Sequence, residues 1–92
     1  MMLRIRQARF NGEPTLFCEG KLLTPWVDEL RRAVMTANAS VPTGLHLVDV
    51  TYVDLDGVEL LREFQRNGVE IVACSGFVAK LLEDALKSAT KR

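Results

Sequence analysis

Asp49, Asp54 and Asp56 are three carboxylates within one short run, Asp49-Val50-Thr51-Tyr52-Val53-Asp54-Leu55-Asp56-Gly57. Acids so placed suit three kinds of chemistry: attack on phosphorus assisted by a divalent cation, calcium binding, or acceptance of a phosphoryl group. The run lies where an aliphatic stretch gives way to helical periodicity, the edge at which parallel α/β folds carry functional groups. Asp56 falls at or near the start of that helix, where unpaired N–H groups and the positive end of the dipole favour an anion. Asp54 or Asp56 equally suits the plain structural role of N-cap.

The elements that must position this run can be read from the pattern around it. Leu3-Arg4-Ile5-Arg6 alternates apolar and basic residues as a strand with one solvated face does, and continues to Phe10. Asn11-Gly12-Glu13-Pro14 is a turn, and Thr15 to Glu19 is the returning strand of a hairpin. After Gly20-Lys21-Leu22-Leu23, Thr24-Pro25 supplies a hydroxyl N-cap followed by proline at the first helical position. Trp26, Leu30, Ala33, Val34 and Ala37 then share one helical face, and Ser40 to Gly44 breaks the helix. Leu45 to Val50 is a central strand, and Asp54 to Asn67 a helix with Val58, Leu61 and Phe64 inward and Gly68 at C′. Val69 to Cys74 is the fourth strand. Ser75 caps a last helix with the stripe Val78, Leu81, Leu82, Ala85 and Leu86, flanked by a Glu83 and Lys87 pair.

The order β-β-α-β-α-β-α requires parallel pairing wherever a helix intervenes, so only the first strand runs antiparallel in a mixed four-stranded sheet. Arg4, Arg6, Glu19, His46 and Glu70 point outward from every strand, with Phe17, Val48 and Val72 among them. That distribution predicts helices mainly on one face and a second face partly wet.

Composition bounds the function. The chain has 92 residues, 48% of them hydrophobic, with 12 basic and 12 acidic side chains. That is one domain's worth of core, spanning residues 1–92 with Lys91 and Arg92 frayed. Balanced charge argues against nucleic acid, and no apolar run approaches the roughly 20 residues that insert in a membrane, so the expectation is a cytoplasmic protein. Cys18 and Cys74 have no partner at ligand spacing and read as small buried strand residues. His46, the only histidine, reads as a sheet-face residue, and Trp26 as core. No cofactor, metal or catalytic residue is expected.

Asp54-Leu55-Asp56-Gly57-Val58 resembles the first motif of haloacid dehalogenase-like phosphatases, in which one Asp attacks phosphorus and the next is acid and base around Mg²⁺. Ser75-Gly76 and Lys80 imitate the later motifs. The acidic pair that family needs at a strand end falls here on Glu83-Asp84, inside a helix, which leaves the phosphatase as an alternative of another class. A calcium loop fits at Asp54, Asp56, Gly57 and Glu63 but puts Tyr52 where its first carboxylate belongs. An aspartyl-phosphate receiver lacks both its paired acids and its lysine.

A resemblance to the STAS family, the domain of bacterial anti-sigma factor antagonists and of sulfate-transporter tails, covers nearly the whole chain. Gly20-Lys21-Leu22 resembles the family's Gly-x-Leu, and Thr24-Pro25 opens the first helix in the usual place. Asp49 to Gly57 matches D-[LV]-[ST]-x-[VIM]-D-S-[ST]-G at all but two positions, and Ser75-Gly76 with Val78, Leu81 and Leu82 resembles the final strand-to-helix region. Both departures fall at the switch: Leu55 replaces Ser, and Asp56 occupies the position of the phosphoacceptor Ser or Thr.

The resemblance implies a non-enzymatic regulatory domain that acts in transcriptional signalling by binding a partner, foremost an anti-sigma factor of the serine-kinase-like ATPase type. Asp56 cannot accept phosphate from such a kinase; it is either a fixed charge that partly mimics phosphoserine or the mark of a switch-free domain. The expected partner surface is Asp54, Leu55, Asp56, Gly57, Glu59, Leu60, Arg62, Glu63 and Arg66. Thr51 and Ser75 are the nearby hydroxyls. The alternative within the family is a scaffold subunit of a lipid-transport ATPase or chemosensory complex. Where relatives often add a strand and helix after Lys87, this sequence stops, which predicts an open fourth-strand edge suited to homodimerisation.

Overall fold

The computed structural model describes residues 3–90, with side chains described for residues 3–84. The chain forms β1 (Arg4–Phe10), β2 (Glu13–Leu22), α1 (Thr24–Ser40), β3 (Gly44–Val53), α2 (Leu55–Arg66), β4 (Ile71–Cys74) and α3 (Gly76–Thr90). The sheet order is β1-β2-β3-β4; β1 pairs antiparallel with β2, and β2, β3 and β4 are parallel neighbours. The predicted class, element order and strand directions are all observed.

Alternation decides which face is covered. Leu16, Cys18 and Leu22 from β2 and Leu45, Leu47, Val50 and Val53 from β3 are buried beneath Leu30 and Val34 of α1, the Val58, Leu60, Leu61 and Phe64 face of α2, and Val78 and Leu82 of α3. α2 contacts both α1 and α3, so the three helices form one layer on one side of the sheet. Trp26 is half-buried against this core. The stripe positions Ala85 and Leu86, the Lys87 member of the Glu83 and Lys87 pair, and the Lys91-Arg92 end lie outside the described residues.

Several boundaries shift. The turn is Asn11-Gly12 alone, both at positive φ (53° and 83°), so Glu13 and Pro14, expected in the turn, open β2, and α1 includes Ser40, expected to break it. β2 runs on to Leu22 because the chain bulges between Phe17 and Glu19 and between Gly20 and Lys21, with Gly20 at φ 109° supplying a backbone other residues resist. β3 extends three residues beyond Val50 to Val53, so Thr51 and Tyr52 are strand residues as well. β4 starts at Ile71, two residues late, because the chain leaves α2 through Gly68 in the left-handed region (φ 83°), and the N–H of Val69 returns to the Phe64 carbonyl. β4 is an edge strand of the sheet, as expected, and β1 is the other edge.

Candidate functional site

The parallel strands β2 and β3 end side by side, and α1 and α2 begin there. Asp54 leaves β3 extended (φ −85°, ψ −177°) and caps α2, its Oδ1 accepting the Gly57 N–H at 2.9 Å. Its Oδ2 accepts both the Thr24 N–H at 2.8 Å and the Thr24 hydroxyl at 2.9 Å. One carboxylate thus satisfies free N–H groups at the start of two helices. Partial burial alone pushes the Asp54 carboxyl up, but the hydrogen bonds from Gly57, from the Thr24 backbone and hydroxyl, and from its own N–H together outweigh it and hold it below the usual range.

Asp56 Oδ2 also lies 2.9 Å from the Thr24 hydroxyl. A hydroxyl has one proton, so it donates to Asp54 or Asp56 at any moment while the other carboxylate faces only its oxygen. Thr24 was expected to cap its own helix. Instead α1 begins at Thr24 itself, Leu23 occupies the cap position without a side-chain bond, and the Thr24 hydroxyl turns toward α2.

Gly57 is required by close approach. A Cβ there would lie 2.7 Å from Val53 Cγ1 and 2.8 Å from the Leu22 carbonyl oxygen, so the first turn of α2 sits against the strand ends. This explains the residue structurally and removes it from the partner surface, because it is buried. Leu60 is corrected likewise: it is 1% exposed and belongs to the core face of α2.

The remaining predicted residues separate into two groups. Leu55 is 79% exposed, and Asp56 next to it and Glu59 four residues on, about one helical turn, also face solvent. Glu63 is engaged within the molecule, since Arg31 of α1 grips it with two hydrogen bonds, Nη2 to Oε1 at 3.1 Å and Nε to Oε2 at 3.2 Å. Arg31 also reaches Asp28 at 2.7 Å. The bond from Arg31 is the chief reason the Glu63 carboxyl is held below its usual range, and the same bond raises the guanidinium. Arg62 is half-buried and Arg66 exposed, and a hollow of about 330 Å³ between the helices is lined by Asp28, Arg31, Asp56, Glu59, Glu63 and Arg66.

Reading the sequence alone missed Thr24, Tyr52 and Phe77. The Tyr52 ring, at the end of β3, stacks on Phe77 in the first turn of α3 with centroids 6.5 Å apart, and both are nearly half exposed. Their signal was faint: an aromatic after a strand and another after Ser75-Gly76. The other hydroxyls have local duties, Thr51 donating to the Gly20 carbonyl at 3.2 Å and Ser75 capping α3 by accepting the Val78 N–H at 3.3 Å. His46 lies on the sheet face between the Phe10 and Phe17 rings, and burial pushes the Cys18 thiol up to about 12. Among the described residues no three His, Cys, Asp or Glu side chains come together as a metal site.

Chemically, the geometry is poorly suited to a carboxylate nucleophile. Both Asp54 oxygens accept hydrogen bonds that hold helix starts, and Ser75 is committed to its own helix. The edge instead presents an apolar projection, Leu55, beside the exposed carboxylates Asp56 and Glu59.

No protein-family model matches the sequence, and no curated protein matches it. Among solved structures, the chain is similar to an uncharacterised protein of the DUF3478 family with a SpoIIAA-like fold from Shewanella loihica PV-4, at TM-score 0.56 and 12% identity, covering 97% of this chain and 80% of that one. The fold is therefore SpoIIAA-like. No helix among the described residues is long and apolar enough to cross a membrane.

Proposed function

We propose that the chain is a non-enzymatic STAS-type regulatory domain that binds a partner protein at the edge where α2 begins. The observation that carries this reading is Leu55, a large apolar side chain 79% exposed on the first residue of a helix, with Asp56 next to it. Burying one such leucine contributes roughly 1.5–3 kcal/mol, enough for an anchor. Asp56, Glu59 and the exposed Arg66 supply the charged surroundings that govern partner choice and association rate.

The partner class is an anti-sigma factor of the serine-kinase-like ATPase type, supported by the fold and by the Asp49 to Gly57 pattern. Asp56 then holds a permanent charge where phosphorylatable relatives carry a hydroxyl, and the domain's activity in a bacterial cytoplasm is set without that switch. Titration calorimetry against a purified kinase-like ATPase encoded beside this gene tests the reading. Leu55→Glu is expected to weaken binding at least tenfold; no binding by the unaltered chain, or binding indifferent to Leu55→Glu, overturns it. Asp56→Ser tests the charge: equal affinity without ATP rules out phosphoserine mimicry.

A further inference from the structure

All three helices cover one face of the sheet, and no described element covers the other. At the centre of that open face the Phe10, Phe17 and His46 rings touch, with centroids 6.3 Å (Phe10 to Phe17), 5.1 Å (Phe10 to His46) and 4.4 Å (Phe17 to His46) apart. Arg6 lies over Phe17 at 4.9 Å, and Val48 is 44% exposed on the neighbouring strand. An aromatic centre on a bare sheet is a surface suited to packing against another sheet.

Charge is distributed unevenly about this centre. At one end Arg4 and Arg6 line a hollow of about 270 Å³ with Glu19 and Asp49, Arg4 being paired to Glu19 at 3.5 Å. At the other end a hollow of about 390 Å³ is lined by Phe10, Glu13, Glu70 and Val72 with no basic residue in its wall; Arg9, nearby, donates to the Gly12 carbonyl. Register fixes the spacing: Arg6 stands opposite Phe17, and Phe10 opposite Glu13, four residues or roughly 13 Å further along the hairpin.

We propose that this open face is the interface of a two-fold homodimer, built on an axis that runs across the strands between the Phe10 and Phe17 levels. That axis lays Arg6 over Phe10 and Phe17 over Glu13 of the second copy, so that Phe17 comes within one strand spacing of the second copy's Phe10 and Arg6 within one of its Glu13, and the same contacts recur in reverse, as an isologous interface requires. Four strands about 4.8 Å apart and roughly 23 Å long offer about 440 Å² per copy, near 900 Å² in all. That is the size of a weak, reversible interface, so the dimer forms in the micromolar range. The start of α2 remains free for the partner, and the inference does not depend on the function proposed above.

Sedimentation equilibrium from about 5 to about 500 µM tests it, with circular dichroism to verify folding. The unaltered chain is expected to dimerise, Arg6→Glu to weaken the dimer at least tenfold, and the exchanged pair Arg6→Glu with Glu13→Lys to restore it to within about threefold. Both positions are exposed, so folding should survive. A monomer throughout the range overturns the proposal. So does a dimer indifferent to Arg6→Glu and to Phe17→Ser but abolished by Val72→Pro, which places the contact on the β4 edge.

Discussion

Two helices begin at the same edge of this sheet, and their starts are held by different means. α2 is capped from within: Asp54 precedes it by one residue and binds Gly57 three positions on. α1 has no cap of its own, only Leu23 and a proline in its first turn, and it borrows the second oxygen of Asp54 from 30 residues away. A local cap needs only local sequence, whereas the borrowed cap exists only once β2 and β3 have paired and their ends lie together. The start of α1 is thus coupled to assembly of the sheet, and Asp54 is a joint rather than a cap.

This contrast can be broken by removing the shared residue. Asp54→Ala loses the α2 cap and the tie to α1 together, and should cost about 2–3 kcal/mol in urea unfolding, above the ~1 kcal/mol of an ordinary cap. A loss near 1 kcal/mol would mean the α1 arm contributes nothing. Gly57→Ala comes next. The gain of about 1 kcal/mol in helix propensity is outweighed by contact with the Leu22 carbonyl, which cannot rotate away, so a net loss of roughly 1–2 kcal/mol is expected.

Acid sharpens the comparison. The Asp54 and Glu63 carboxyls titrate below their ordinary values in the folded chain, so the unfolded chain takes up protons first as pH falls. Their contribution is complete above the ordinary carboxylate range near pH 4 and is lost as pH drops through the lowered folded values. Unfolding free energy should therefore fall between about pH 5 and pH 2, less steeply in Asp54→Asn and less again with Glu63→Gln added. Identical slopes in all three would place the acid sensitivity elsewhere.

The smallest effect separates the two carboxylates that share one hydroxyl. Thr24→Val removes the proton but keeps the Thr24 N–H bond to Asp54, and should cost about 0.5–1 kcal/mol. Asp56→Ala should change stability by less than about 0.5 kcal/mol, because it removes an acceptor from a hydroxyl that keeps another. A large loss on Asp56→Ala would show that Asp56, not Asp54, holds the joint.

Much of this was legible before any coordinates. Period-two alternation in Leu3 to Arg6 and the aliphatic run from Leu45 placed strands, and the Val58, Leu61 and Phe64 spacing placed a helix. Gly68 marked its end, because local φ preferences are written in residue type. The duties of Thr24, Glu63 and Leu60 were not legible. Thr24 looked like a cap because threonine before proline ordinarily is one, and nothing near it in sequence announces Asp54. Glu63 looked free because its partner, Arg31, lies on another helix 32 residues earlier. Leu60 differs from Leu55 only by a turn and a half of helix, which decides core or solvent.

By itself the sequence determined the class of fold, the order of the elements along the chain, the directions of the strands, and the concentration of acids at the junction of β3 with α2. It did so because backbone propensity and hydrophobic period act over a few residues and survive without the rest of the chain. Only the tertiary structure decided which acid is a joint, which arginine is already occupied, and that Leu55 stands bare beside Asp56. Those outcomes depend on which distant groups meet, and a carboxylate binds whichever donor the packed sheet brings within reach.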